Sequence, residues 1–196
     1  MDYRNVMRLL PGDEERMALA EKGVFSLEEI DNSSSYTLTQ HFLYKHLFQV
    51  STPIWIVMNS PGGDVAHGLA IYDAIRMLAA RGREVNVLGI GHVASMATVI
   101  MQAATNRYST PHTQFLIHQV SQTIVDHEEV NKSKDRVEET ERLNNIVMGL
   151  IASRVGIDLE ELKELCKKKD YWLDSESALK FGNHGLIDKV VTELLF

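Results

Sequence analysis

The chain is poor in cysteine: Cys166 is the one such residue among 196. That excludes an internal disulfide framework and any multi-cysteine metal site, and it fits a reducing compartment. Long apolar runs are missing too, and none approaches the ~20 residues that span a bilayer. The opening segment, Met1 to Leu10, has too short an apolar part and meets Pro11-Gly12 at once, so it does not read as a secretory signal. These absences predict a soluble cytoplasmic protein without membrane contacts. Positive charge is in deficit, with 20 Lys and Arg against 27 Asp and Glu for a net charge of -7. A general nucleic-acid binder needs a basic face to displace counterions, so nucleic acid is not an expected partner. No internal repeat and no linker divides the chain. The eight histidines are scattered, and His41 and His46 are not spaced to share a helix face, so no metal-ligand set is expected.

What remains is ordinary globular material, 44% hydrophobic and 24% charged, read as one domain over 1–196. After a poorly defined stretch to Gly23, strand and helix patterns alternate. Val24 to Leu27 is a short apolar run, and a helix carrying Leu38, Phe42 and Leu43 follows the Asp31–Ser35 cap cluster. Ile54 to Met58 is a continuous β-rich run, suited to a strand buried on both faces of a parallel sheet. It meets Asn59-Ser60-Pro61-Gly62-Gly63, read as a turn. A helix from about Val65 to Ala80 places Leu69, Tyr72, Ile75 and Leu78 on one stripe. Further strands are expected at Val85 to Ile90 and Gln114 to His118, with an apolar helix from Ser95 to about Ala104 between them. From Asp126 to Ser153 the pattern is a long helix, charged in its first half, with pairs such as Glu138–Arg142 and a narrow seam of Val130, Val137, Val147 and Ile151. Its length also suits self-assembly. Two short helices and an apolar segment, Leu186 to Val191, close the chain. Repeated strand–helix units predict an α/β fold with a mostly parallel core.

Four places could carry chemistry. Ser95 stands where a buried strand gives way to a helix, between small residues. A hydroxyl there lies beside unpaired backbone N–H groups that stabilise a forming anion, as an acyl-transfer nucleophile requires. The same position equally suits a plain N-cap serine. Gly62 and Gly63 permit positive φ and let backbone N–H groups face a ligand, although an ordinary β-to-α turn has the same composition. They are followed by neither Gly-Lys-Ser/Thr nor G-x-G-x-x-G, so no phosphate loop or dinucleotide site is indicated. His118 closes a strand and could serve as a general base toward a serine. Asp170 could orient that imidazole, but so could Asp158, Asp174 or Asp188.

Taken together, these segments resemble the ClpP proteolytic subunit of the ATP-dependent Clp proteases. The matching pieces fall in order: Asn59-Ser60-Pro61-Gly62-Gly63 with Gly68 to Asp73, then Gly91-His92-Val93-Ala94-Ser95-Met96-Ala97. Phe115-Leu116-Ile117-His118-Gln119 and the stretch from Lys169-Asp170-Tyr171-Trp172-Leu173 to Asp188 complete the series. The resemblance covers roughly Val24 to Val191 and implies a ClpP/crotonase-type fold with repeated β-β-α units. A protruding handle helix falls at about 121–153, and 1–23 forms a divergent N-terminal segment. It further implies Ser95 as nucleophile, His118 as base and Asp170 as orienting acid. The backbone amides of Gly63 and Met96 would form the oxyanion hole, and Gly62 and Val120 would lie along the substrate. No metal and no bound cofactor is implied. Partners would be two stacked heptameric rings of this chain, an AAA+ Clp ATPase that alone uses ATP and docks near Trp55, and unfolded polypeptide substrates. The sequence departs from the pattern at His92, Ala97, Val120, Lys168-Lys169 and Val57, and in 1–23. Those departures keep a second reading open, a ring-forming paralogue with little activity of its own. A crotonase-type acyl-CoA enzyme shares the fold but does not need the Ser, His and Asp set.

Overall fold

The computed structural model describes residues 12–48, 52–121, 129–167 and 169–196. In chain order the elements are α1 (Asp13–Glu21), β1 (Val24–Ile30), α2 (Asn32–Phe48), β2 (Ile54–Gly63), α3 (Val65–Ala80), β3 (Val85–Ala94) and α4 (Met96–Met101). They continue as β4 (Asn106–Ser109), β5 (Gln114–Ile117), α5 (Val130–Val155), α6 (Leu159–Leu165), β6 (Tyr171–Asp174), α7 (Ser175–Leu179) and β7 (Lys189–Val190). The strands join in one sheet of order β1-β2-β3-β4-β7, all parallel. β5 pairs parallel with β3 off this path, and β6 pairs antiparallel with β5. The fold is the mostly parallel α/β arrangement read from the alternation.

The apolar run of β2 forms a strand as expected, with Ile54, Ile56 and Met58 fully buried. The turn assigned to residues 59–63 is a correction: the strand continues, and Gly62 and Gly63 pair with Glu29 and Ile30 of β1. Glycine makes this possible, since φ is 101° at Gly62 and 151° at Gly63. Likewise β3 runs on to Ala94. Its register against β2 shifts between Met58 and Ser60, so Ile90, Gly91 and His92 stand against Asn59 alone, two extra residues on the β3 side. Beyond that bulge, His92, Val93 and Ala94 pair with β5 instead of β4.

Helix α3 is capped by Asp64, whose side chain accepts from the His67 N–H at 2.9 Å. Its buried face is Gly68, Ile71, Ile75 and Leu78, so Leu69 and Tyr72 sit at the core margin rather than in it. In α2, Leu38 and Phe42 are buried, whereas Leu43 is 53% exposed. Helix α4 is only six residues long and shorter than expected. On α5 the buried residues are Val147, Met148, Ile151, Ala152 and Val155; Val130 and Val137 of the expected seam are exposed. Arg142 pairs with Glu139 rather than Glu138. The expected helix start at Asp126 lies outside the described residues, as does most of 121–129. Of the basic pair before Asp170, Lys168 lies outside them too.

The C-terminal segment is locked by one buried side chain. Arg107 of β4, 2% exposed, donates to both carboxylate oxygens of Asp188, to Gln102 Oε1 and to the carbonyls of His184 and Gly185. Every guanidinium nitrogen therefore has a partner, which is the condition for burying an arginine without a large desolvation penalty.

Candidate active site

The C-terminal ends of β3 and β5 bring distant segments together. Ser95 follows β3, its N–H donating to the Leu116 carbonyl of β5 at 2.9 Å, and α4 begins at the next residue. To reverse from strand to helix in one step, Ser95 adopts φ 58° and ψ -125°, and among the described residues no other non-glycine has positive φ. Such a conformation costs on the order of 1–3 kcal/mol and persists where the surroundings enforce it. The hydroxyl makes no capping hydrogen bond. Ser95 occupies the N-cap position without capping, so the plain-cap reading fails and the oxygen is free for other work.

Met96 supplies the first helical amide, which by position has no acceptor within its helix. Its side chain is buried, 3% exposed, in space that Gly68 of α3 leaves open; a Cβ at Gly68 would overlap it. Gly62 crosses over the same turn. A Cβ there would stand 2.7 Å from Ser95 Cβ and 3.1 Å from Met96 N, so only glycine lets β2 pass so close. The Gly62 N–H is already donated to Ser60 Oγ at 3.1 Å.

His118 follows the last residue of β5 and is half-buried. Ser95, Met96, Gly63, His118 and Val120 line one small cavity of about 70 Å³, walled by Val65, Val99, Val147, Met148 and Ile151. A space of that size suits one or two waters or a small side chain, and the wall chemistry is apolar. The segment after His118 is strapped to α5, because Asn144 Oδ1 accepts the Val120 N–H at 3.0 Å. Behind it, Cys166 Sγ lies 3.6 Å from the Ile117 carbonyl; burial, then the charge of Asp170, pushes this thiol up to about 11, so it stays neutral.

Asp170 is exposed and does not line the cavity. It precedes β6, and the last antiparallel pair is Ile117 with Tyr171, so the next step of that register sets His118 opposite Asp170. Among the described residues no hydrogen bond joins Ser95 Oγ to His118, or His118 to Asp170. The three competing acids are committed elsewhere. Asp158 caps α6 and Asp174 caps α7 through the Ser177 N–H. Asp188 holds Arg107. Trp55 is 8% exposed because Tyr108 and Phe196 lie against it, with ring centroids at 5.5 and 5.2 Å.

Three residues position the site in ways that the reading of the sequence did not assign to them. Thr98 Oγ1 lies 2.8 Å from the Val93 carbonyl and 3.0 Å from that of Leu116, tying α4 to both strands. Gly68 seats Met96. Asn144 had a legible signal, since it lies three and four residues before Val147 and Met148 and so on the buried face of α5. Among the described residues, no group of three or more His, Cys, Asp or Glu could hold a metal, and no helix is long and apolar enough to cross a membrane.

Comparison with known proteins bears on this geometry. The family model described as Clp protease matches residues 13–194. The chain is 32% identical over 179 residues to the ATP-dependent Clp protease proteolytic subunit 2 of Chlamydia trachomatis, covering 89% of this chain and 82% of that protein. It is 32% identical over 178 residues to the protein of the same name from Prochlorococcus marinus, at 88% and 82% coverage. Against the proteolytic subunit 1 of Protochlamydia amoebophila, identity is 28% over 179 residues, at 90% and 84% coverage.

Proposed function

The chain belongs to the Clp protease family, a family of peptidases, and from that premise we propose that it is a serine endopeptidase working through Ser95, His118 and Asp170. The observation that carries this reading is Ser95 itself, a serine held at φ 58° on a strand-to-helix turn, its hydroxyl spent on no cap and its side chain lining a cavity with His118.

In this reading the Ser95 oxygen attacks the scissile carbonyl while His118 takes its proton. The developing oxyanion is met by the backbone amides of Met96 and Gly63. Collapse breaks the C–N bond, His118 returns the proton to the leaving amine, and an acyl-enzyme on Ser95 remains for water to hydrolyse. Asp170 holds the imidazole in the needed tautomer. Gly62 and Val120 flank the extended substrate backbone. The chemistry uses no metal and no bound cofactor, and the apolar wall beside Ser95 fits an apolar substrate side chain.

The relatives' printed names, ATP-dependent and proteolytic subunit, support a division of labour for this chain too. An AAA+ ATPase would consume ATP, dock near Trp55 and deliver unfolded polypeptide to two stacked heptameric rings. The exposed first half of α5 is the arm available for ring pairing. One observation favours the second reading, a ring-forming paralogue with little activity alone: the link from Ser95 through His118 to Asp170 is not closed by hydrogen bonds in the single protomer. Apo sites commonly show such links loose, so the peptidase reading stands ahead.

The test is hydrolysis of a fluorogenic peptide and labelling by a fluorophosphonate, with native mass recorded on the same sample. Ser95→Ala is expected to lose about 10⁴-fold or more in turnover while keeping its assembly. Unchanged hydrolysis in that variant refutes the proposal, and an inactive wild-type ring favours the paralogue instead.

A further inference from the structure

The backbone that follows His118 leaves the sheet. β5 ends at Ile117, whose pairing with Tyr171 is its last, and among the described residues Gln119, Val120 and Ser121 make no hydrogen bond to any other backbone. A half-buried N–H beside an apolar cavity still needs an acceptor. For Val120 that acceptor is a side chain, Asn144 Oδ1 of α5, at 3.0 Å and 24 positions away. Gln119 adds one long contact, from its Nε2 to the Lys163 carbonyl at 3.5 Å. A single carboxamide thus does for this segment what neighbouring strands do for β5.

The place of that carboxamide on α5 matters. Val147, Met148 and Ile151 follow it at three, four and seven positions, which sets all four residues on one helix face. Those three side chains wall the cavity that Ser95 and His118 line, and Gln119, Val120 and Ser121 border the same space. One face therefore fixes both the wall that would receive a substrate side chain and the segment beside it. Val147, Met148 and Ile151 are buried in the core, so the face does not shift on its own. The catalytic side chains are anchored by another route. His118 directly follows a strand paired with β3 and β6, and Ser95 is tied to that strand through the Leu116 carbonyl. Neither attachment passes through Asn144.

Resting on the peptidase reading above, we propose that Asn144 is a positioning residue for substrate. It holds residues 119–121 in place along the cavity before substrate arrives, and it leaves the chemistry of Ser95 and His118 alone. Val120, its N–H already taken, offers that donor to no substrate. Without the strap the segment has to be ordered on binding, and affinity falls by the fraction of time that it is in place. The cost therefore falls on KM and not on kcat. A carboxamide accepts this bond without carrying charge, so the strap does not titrate.

The experiment is steady-state hydrolysis of a fluorogenic peptide by the full-length assembled protein, beside the rate of labelling by a small fluorophosphonate. The label reads the serine and the imidazole without needing an extended peptide. Asn144→Leu keeps the size of the side chain and removes the acceptor. It is expected to raise KM about five- to tenfold, the worth of one hydrogen bond. Its kcat and labelling rate stay within about twofold of the wild type, and amide exchange across residues 118–121 quickens. Asn144→Asp keeps an acceptor oxygen in the same place and is expected to bring KM and exchange back to the wild-type values. A residue that merely supported the helix would gain nothing from that oxygen. If Asn144→Leu fails to assemble, Asn144→Ala removes the carboxamide without adding bulk and carries the same expectation. An unchanged KM in these variants overturns the proposal, as does a loss of kcat and labelling equal to the rise in KM, or an Asn144→Asp variant no better than Asn144→Leu. A wild type that neither hydrolyses the peptide nor takes the label sinks the peptidase reading itself, whereas an active wild type matched by Asn144→Leu sinks only this inference.

Discussion

Replacing Ser95 by glycine and by alanine separates the backbone role of this residue from its chemical one. Glycine relieves the conformation at φ 58° and ψ -125°, a gain on the order of 1–3 kcal/mol. Against this, glycine's freer unfolded chain costs about 0.4–1 kcal/mol. Ser95→Gly is therefore expected to be about 1 kcal/mol more stable than Ser95→Ala, or about 2–4 °C in Tm for a chain of this length. Alanine keeps the strained turn but surrenders no capping bond, since the hydroxyl makes none. Ser95→Ala should accordingly lie within about 0.5 kcal/mol of the wild type. Both variants lose peptide hydrolysis. Thermal or urea unfolding at one fixed protein concentration supplies the readout, because assembly makes Tm depend on concentration. A glycine variant no more stable than the alanine variant would show that the turn stores no strain. An alanine variant weakened by about 1 kcal/mol or more would restore the N-cap reading.

Three further outcomes follow from the packing. Burial alone would raise the Asp188 carboxyl, but hydrogen bonds from Arg107 and its positive charge outweigh that and hold the pKa below the usual 3.8. A carboxyl lowered on folding contributes stability above its unfolded pKa and loses it as pH falls, so wild-type Tm should drop steeply below about pH 4 and Asp188→Asn should show a flatter profile; parallel profiles refute this. Gly68→Ala drives a methyl into Met96 and is expected to cost about 1–3 kcal/mol while lowering kcat up to about 100-fold at little change in KM; a Tm within about 1 °C of wild type contradicts the contact. Phe196→Ala uncovers Trp55 and should red-shift its emission, read in a Trp172→Phe background because Trp172 is 54% exposed; an unshifted spectrum means that the chain end does not rest on Trp55 in solution.

How far the sequence reveals this protein depends on whether each signal is local. The buried strands of β2, β3 and β5 announce themselves as unbroken apolar runs, and α3 announces itself by its stripe and its Asp64 cap. The continuation of β2 through Asn59-Ser60-Pro61-Gly62-Gly63 is hidden, because the same letters make the commonest turn. Only β1 alongside tells the chain to stay extended there. β4 was invisible for a plainer reason. Its inward residue is Arg107, which no strand pattern predicts, and the partner that makes burial tolerable, Asp188, lies 81 positions away. At the site, Ser95 and His118 were legible as residues at strand ends. Residue pattern alone did not rank the four aspartates; the resemblance singled out Asp170, and the structure finds Asp158 and Asp174 capping helices and Asp188 holding an arginine.

The fork in β3 has a mechanical consequence. Four of its residues pair with β4 inside the main sheet, and only His92, Val93 and Ala94 carry β5, with β6 hanging from β5 in turn. The leaf that bears His118 and leads to Asp170 is thus riveted to the body by a three-residue spine, whereas the serine grows from the spine itself. Because Phe115, Ile117 and Leu173 of that leaf are buried in the core, repacking the interior around them moves the imidazole relative to a hydroxyl carried by the spine.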